Sequence, residues 1–178
     1  MSEFSAGSMN DMNDRDSAGG IDSDTDQYLT FMLANEEYGV DILRVQEIKG
    51  WDTVTHIPNT PDYIKGVLNL RGTIVPIIDL RLRFGLDPIP YGTTTVIVVV
   101  RVMDGEKTRT MGIVVDGVSD VYDISPESIS PTPEFGGSIK TGYLKGMATL
   151  DEKMVIILDI DFLCSGKELE NPGQPAAA

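Results

Sequence analysis

Asp159 and Asp161 are two carboxylates one residue apart, a spacing at which one could serve as acid and the other as base. A second cluster, Asp22-Ser23-Asp24-Thr25-Asp26, opens like a calcium loop. However, Gln27 stands where that loop requires glycine and Leu33 where its closing glutamate belongs, so it reads as a solvated acidic segment. The chain has one histidine, His56, and one cysteine, Cys164, too few for the usual nucleophile relays or for a zinc ligand set. No glycine-rich phosphate loop, dinucleotide fingerprint or G-x-S-x-G elbow occurs. The 28 acids leave hydrolysis by a carboxylate pair formally open, but nothing points at any pair. The residues therefore read as a non-catalytic binding module, with no catalytic residue, metal or cofactor assigned.

The elements that carry these residues are duplicated. Tyr63 to Leu82 slides without a gap onto Tyr143 to Phe162, with identities at Tyr63/Tyr143, Lys65/Lys145, Gly66/Gly146, Leu70/Leu150, Val75/Val155, Ile77/Ile157 and Asp79/Asp159. Upstream, Gly39, Val40, Val45 and Ile48 correspond to Gly112, Ile113, Val118 and Val121. Two copies of a small unit imply two similar subdomains related by a pseudo-twofold. The duplication weakens the acid and base reading: Arg81 occupies the place of Asp161, while the repeated Asp79 and Asp159 each precede a short apolar run, an N-cap signal. The copies differ at one turn, where Asn69-Leu-Arg71-Gly72 faces Thr149-Leu-Asp151-Glu152. Shared positions should serve the fold, and differing ones are candidates for function.

Residues 1–26 hold seven acids and one arginine, a net charge of -6 with little to bury, and are expected to be a disordered acidic leader. A hairpin follows over Tyr28 to Ile42, and Leu43 to Lys49 is either a short helix or a further bent strand. Trp51 is expected to cap one end of a barrel core. Strands flank Arg71-Gly72, with Pro76 calling for a sheet edge or bulge. Leu86 to Thr95 is a linker, and Thr95 to Val102 is too apolar to have a wet face. The proline-bearing excursion Ser125 to Ser138 has no counterpart in the first copy; its Phe135 either faces solvent as an interaction candidate or folds back over the core. Residues 168–178 are a frayed tail. The net charge of -14 argues against nucleic acid, and the polar start and short apolar runs argue against a signal peptide or membrane insertion, giving a cytoplasmic expectation.

Residues 27–167 resemble the CheW family of chemotaxis coupling proteins. The match runs through E-E-Y-G-V-D-I-L-R-V-Q-E-I (36–48), N-T-P-D-Y-I-K-G-V-L-N-L-R-G-T-I-V-P-I-I-D-L-R (59–81), G-I-V-V-D-G-V-S-D-V (112–121) and P-E-F (133–135). The resemblance implies a mainly β fold: two five-stranded SH3-like β-barrel subdomains side by side with short helices, the first at about 36–85 and the second at about 95–160, terminal segments completing them. It implies a non-enzymatic adaptor between the cytoplasmic tips of methyl-accepting chemoreceptors and the regulatory domain of the histidine kinase CheA, with other CheW copies as further array partners. Val45, Glu47 and Arg71 match positions that engage receptor and kinase, and Glu134 and Phe135 match the second barrel's array contact. The kinase itself and CheV share the domain but carry further domains for which this length has no room. A small-molecule-sensing module of the same fold is the alternative from another class.

Overall fold

The computed structural model describes residues 25–131 and 141–165; Glu134 and Phe135, almost all of the acidic leader and the C-terminal tail lie outside them. Among the described residues the chain forms eleven strands: β1 (Asp26–Leu33), β2 (Glu36–Asp41), β3 (Val45–Gly50), β4 (Ile64–Leu70), β5 (Thr73–Asp79), β6 (Val96–Asp104), β7 (Lys107–Val115), β8 (Gly117–Ile124), β9 (Ile129–Ser130), β10 (Leu144–Leu150) and β11 (Lys153–Leu158). Helical turns Leu80–Arg83 and Ile160–Leu163 follow β5 and β11. Local chemistry explains several boundaries. Asp79 and Asp159 both cap, accepting from the amides of Leu82 at 3.3 Å and Phe162 at 3.1 Å. Ile42–Arg44 is a 3₁₀ turn capped by Asp41 that leads straight into β3, so the ambiguous Leu43 to Lys49 segment is part turn and part strand.

The fold is mainly β, in two SH3-like subdomains. One sheet has five strands in the order β3-β6-β7-β5-β4; the other has six, β8-β1-β2-β11-β10-β9, the sixth being the two-residue β9. Its counterpart in the five-stranded sheet is a single bridge, Thr55 to Val67, beside the equivalent stretch of β4. The sheets are not the two sequence copies. Each copy hands its leading hairpin to the other: β1 and β2 join β8 to β11, while β6 and β7 join β3 to β5. A division between about 85 and 95 therefore separates the repeats but not the sheets. The exchange is made twice by one contact, a parallel pairing of Ile77 with Gly112 and of Ile157 with Gly39. Both positions are close-packed: a Cβ on Gly112 would lie 2.5 Å from Ile77 Cδ1, and one on Gly39 3.2 Å from Ile157 Cδ1, so a larger residue would have to push the isoleucine aside.

Pro76 lies in an inner strand, not at an edge. The β5–β7 ladder begins only at Ile77, so the missing N–H of Pro76 breaks no bond on that flank. β6 is apolar on both faces because both are buried: Ile97 and Val99 enter the core of the five-stranded subdomain, while Val98, Val100 and Val102 enter the larger core between the two sheets. Trp51 packs on the former core and meets Tyr91 of the linker at 4.2 Å between ring centroids.

Both crossings between sheets are clamped. Between β2 and β3, Arg44 makes a two-pronged pair with Asp161, 2.7 Å on each prong; between β7 and β8, Asp116 takes Arg81 at 3.0 Å on each. Arg81 and Asp161 are equivalent positions, so the duplicated clamp has opposite polarity in its two copies. This settles the aspartate pair, since Asp159 caps a helical turn and Asp161 binds a guanidinium. Partial burial works to raise the Asp161 pKa, but hydrogen bonds from Arg44 and from the Met103 amide outweigh it and hold the group below its ordinary value of 3.8. A depressed folded-state pKa stabilises above the unfolded value and is lost as pH falls through the folded one. Asp161→Asn should therefore be less stable than wild type at pH 7 in urea denaturation, with the gap narrowing below the ordinary aspartate range. A gap unchanged down to pH 2 would refute the clamp's electrostatic role.

Candidate protein interface

The duplication directs attention to the turn where the copies differ. Arg71 and Gly72 join β4 to β5 with φ of 52° and 89°, and Asp151 and Glu152 join β10 to β11 with 49° and 70°. Both are tight hairpin turns with two positive φ values, a geometry that matches strand twist but strains residues bearing a Cβ. Because three side-chain-bearing residues accept that strain, backbone conformation does not distinguish the turns. Charge does.

Arg71 reaches from its turn to the edge strand β3, where its Nη2 lies 3.1 Å from Glu47 Oε2. The arginine side chain remains 80% exposed. An exposed pair contributes roughly 0.2–1 kcal/mol, too little to hold the fold, so both groups can be recruited by a partner at small cost. Beneath them opens a groove of about 250 Å³ at the mouth of the five-stranded subdomain, bounded by Gln46, Leu70, Val75, Val99 and Thr110 as well as the pair.

Val45 does not share this groove. A register shift between Val45 and Glu47 pairs Val45 with Val100 and Glu47 with Val99. This bulge turns the two side chains apart: Val45 packs on the core between the sheets, and Glu47 on the mouth. The structure thus unites Glu47 and Arg71 and sets Val45 aside as a half-buried neighbour. It also exposes apolar side chains not singled out in the sequence, Leu43 at 79% beside the β2–β3 crossing and Ile74 at 59% next to the turn. The broken alternation after Asp41 is the only trace of the first in the sequence.

Covalent chemistry finds no support at Cys164. It is fully buried, and desolvation, opposed by Arg83 and Arg109, pushes its thiol up to about 12, so it is protonated at neutral pH. Among the described residues no helix is long and apolar enough to cross a membrane.

Residues 27–168 match the family model described as the CheW-like domain. The chain is 53% identical over 143 residues to the chemotaxis protein CheW of Klebsiella aerogenes, covering 80% of this chain and 84% of that protein. It is 34% identical to the chemotaxis protein CheW of Treponema pallidum over 144 residues, 81% of this chain and 85% of that one. A crystal structure of the scaffolding protein TtCheW from Thermoanaerobacter tengcongensis superimposes with a TM-score of 0.72 at 35% identity, covering 85% of this chain and 92% of the other.

Proposed function

The chain belongs to the CheW-like domain family, and from that premise we propose that it is a non-catalytic adaptor coupling methyl-accepting chemoreceptors to the histidine kinase CheA in the cytoplasm. That it is a chemotaxis scaffold of the CheW type follows from the family and fold; the two partners are the finer reading. The observation carrying it is the Glu47/Arg71 pair, an ion pair over a groove of the five-stranded subdomain, at a turn where the other copy carries Asp151 instead of arginine. Paired charges of opposite sign give a partner a register to read, and rim charges act mainly on association rate and specificity. Glu47 and Arg71 would supply the polar recognition, and Val45, half-buried on the other side of the bulge, would be a separate contact. Glu134 and Phe135, outside the described residues, would form a further contact with neighbouring copies in an array.

Arg71→Asp tests this reading. Asp151 occupies the equivalent turn with nearly the same φ, so the substitution should melt within about 4 °C of wild type, the size of an exposed ion pair. It places two carboxylates together where an ion pair stood, and should weaken receptor control of the kinase at least tenfold in reconstituted arrays, the equivalent of about 1.4 kcal/mol. Unaltered coupling by a variant of normal stability would reject the assignment.

A further inference from the structure

A second cavity opens in the other subdomain. At the mouth of the six-stranded subdomain a cavity of about 270 Å³ is lined by Met32, Asn35, Glu36, Glu37, Lys153 and Met154. Under the duplication Glu37 stands where Thr110 does and Lys153 where Thr73 does, whereas Asp120 and Asp151, the counterparts of Glu47 and Arg71, do not line this cavity. The first mouth carries its own guanidinium over its own carboxylate. The lining of the second holds two carboxylates, Glu36 and Glu37, one lysine and no arginine.

Glu37 is the unusual member. It is only 8% exposed, yet among the described residues its Oε2 is buried without a hydrogen-bond partner. Its Oε1 lies 3.4 Å from the hydroxyl of Thr30, but that hydroxyl has a nearer acceptor in the Asp120 carbonyl at 3.1 Å. A hydroxyl has one hydrogen to give, so the Asp120 carbonyl takes it and Glu37 is left with no firm donor. Buried carboxylates are normally bonded, and leaving one unbonded is costly. Lys153 lines the same cavity but makes no ion pair with it.

We propose that this mouth receives an arginine side chain presented by a partner protein, its guanidinium meeting Glu37 while Met32 and Met154 pack against its methylenes. A planar guanidinium can satisfy both oxygens of a carboxylate at once, which Lys153 cannot. The methionines offer adaptable apolar walls for the stem of such a side chain. The site is separate from the Glu47/Arg71 surface, so it stands or falls independently of the coupling reading.

The probe is the peptide acetyl-Gly-Arg-Gly-amide, followed by NMR of ¹³C-methyl methionines in the full chain. The Met32 and Met154 methyl signals should shift saturably, and the citrulline version, with a neutral urea in place of the guanidinium, should bind at least tenfold more weakly. Glu37→Gln, which keeps shape and fold, should lose at least tenfold for the arginine peptide while retaining kinase binding at the other face. Acetyl-arginine amide alone should bind more weakly than the peptide; equal affinity would identify a free small cation and overturn the protein partner. No saturable shift, or equal binding by Glu37→Gln or the citrulline peptide, overturns the site itself.

Discussion

Cut within the Leu86 to Thr95 linker, the chain should yield two fragments, residues 1–90 and 91–178, neither of which folds alone, and mixing them should restore the native fold. The repeat boundary is where two independent barrels would come apart, but the hairpin exchange forbids it. Without residues 91–178, β3 loses β6, its sole sheet neighbour among the described residues, and β5 loses β7. Without residues 1–90, β8 loses β1, its sole neighbour among the described residues, and β11 loses β2. The core between the sheets divides as well: Phe31, Tyr38 and Phe84 come from one fragment, Val100, Met111, Tyr143 and Leu163 from the other. Each fully buried apolar side chain contributes roughly 1.5–3 kcal/mol, so a fragment missing half of them falls far below the 5–15 kcal/mol that separates folded from unfolded domains. Circular dichroism of each fragment and of the mixture checks this, and size exclusion detects self-paired fragments. A stable, monomeric 1–90 fragment with native β content would show that the exchange is not required. For the same reason the intact chain should unfold in one transition.

Gly66→Ala should cost about 3 kcal/mol or more, from strain at an unfavourable φ and from overpacking together. Gly66 has a φ of 142°, and a Cβ there would sit 2.1 Å from the carbonyl oxygen of Thr55 and 2.7 Å from its carbon. These are backbone atoms, held by the reciprocal Thr55 and Val67 hydrogen bonds at 2.9 Å, and cannot swing aside. The equivalent Gly146→Ala should cost less, because its nearest obstacle is a side-chain methyl of Ile129, although Ser130 O at 2.6 Å keeps the loss appreciable. Gly92→Ala, with open space around it, is the control and should be nearly neutral. Urea denaturation of the three variants gives the order, and a Gly66→Ala protein within 1 kcal/mol of wild type would overturn this account of the repeated glycine.

What was legible in the sequence shares one property, that its cause lies within a few residues. Asp79 and Asp159 cap because a carboxylate reaches an amide three residues on; Arg71-Gly72 turns because the strands on either side must reverse; β6 is buried on both faces because neither face carries enough polar groups for water. The duplication also singled out Arg71, since a turn occupied by arginine in one copy and aspartate in the other is not a requirement of the fold. Three things were not legible. The bulge that parts Val45 from Glu47 depends on how β3 meets β6, some fifty residues later, and the Arg44/Asp161 clamp joins groups 117 residues apart. The Glu37 carboxyl reads as one more acid in a turn until the sheet closes over it.

By itself the sequence determined that the chain is two copies of one β unit, where its turns and caps fall, and to which family it belongs. Only the tertiary structure decided which copy's hairpin completes which sheet. The reason is the duplication itself: β2 carries Gly39 and β7 carries Gly112, β5 offers Ile77 and β11 offers Ile157, and every pairing of a glycine strand with an isoleucine strand satisfies the same local pattern. What separates the arrangements is the packing between sheets and the two clamps of opposite polarity, Arg44 on Asp161 and Arg81 on Asp116, which close only when the hairpins are exchanged.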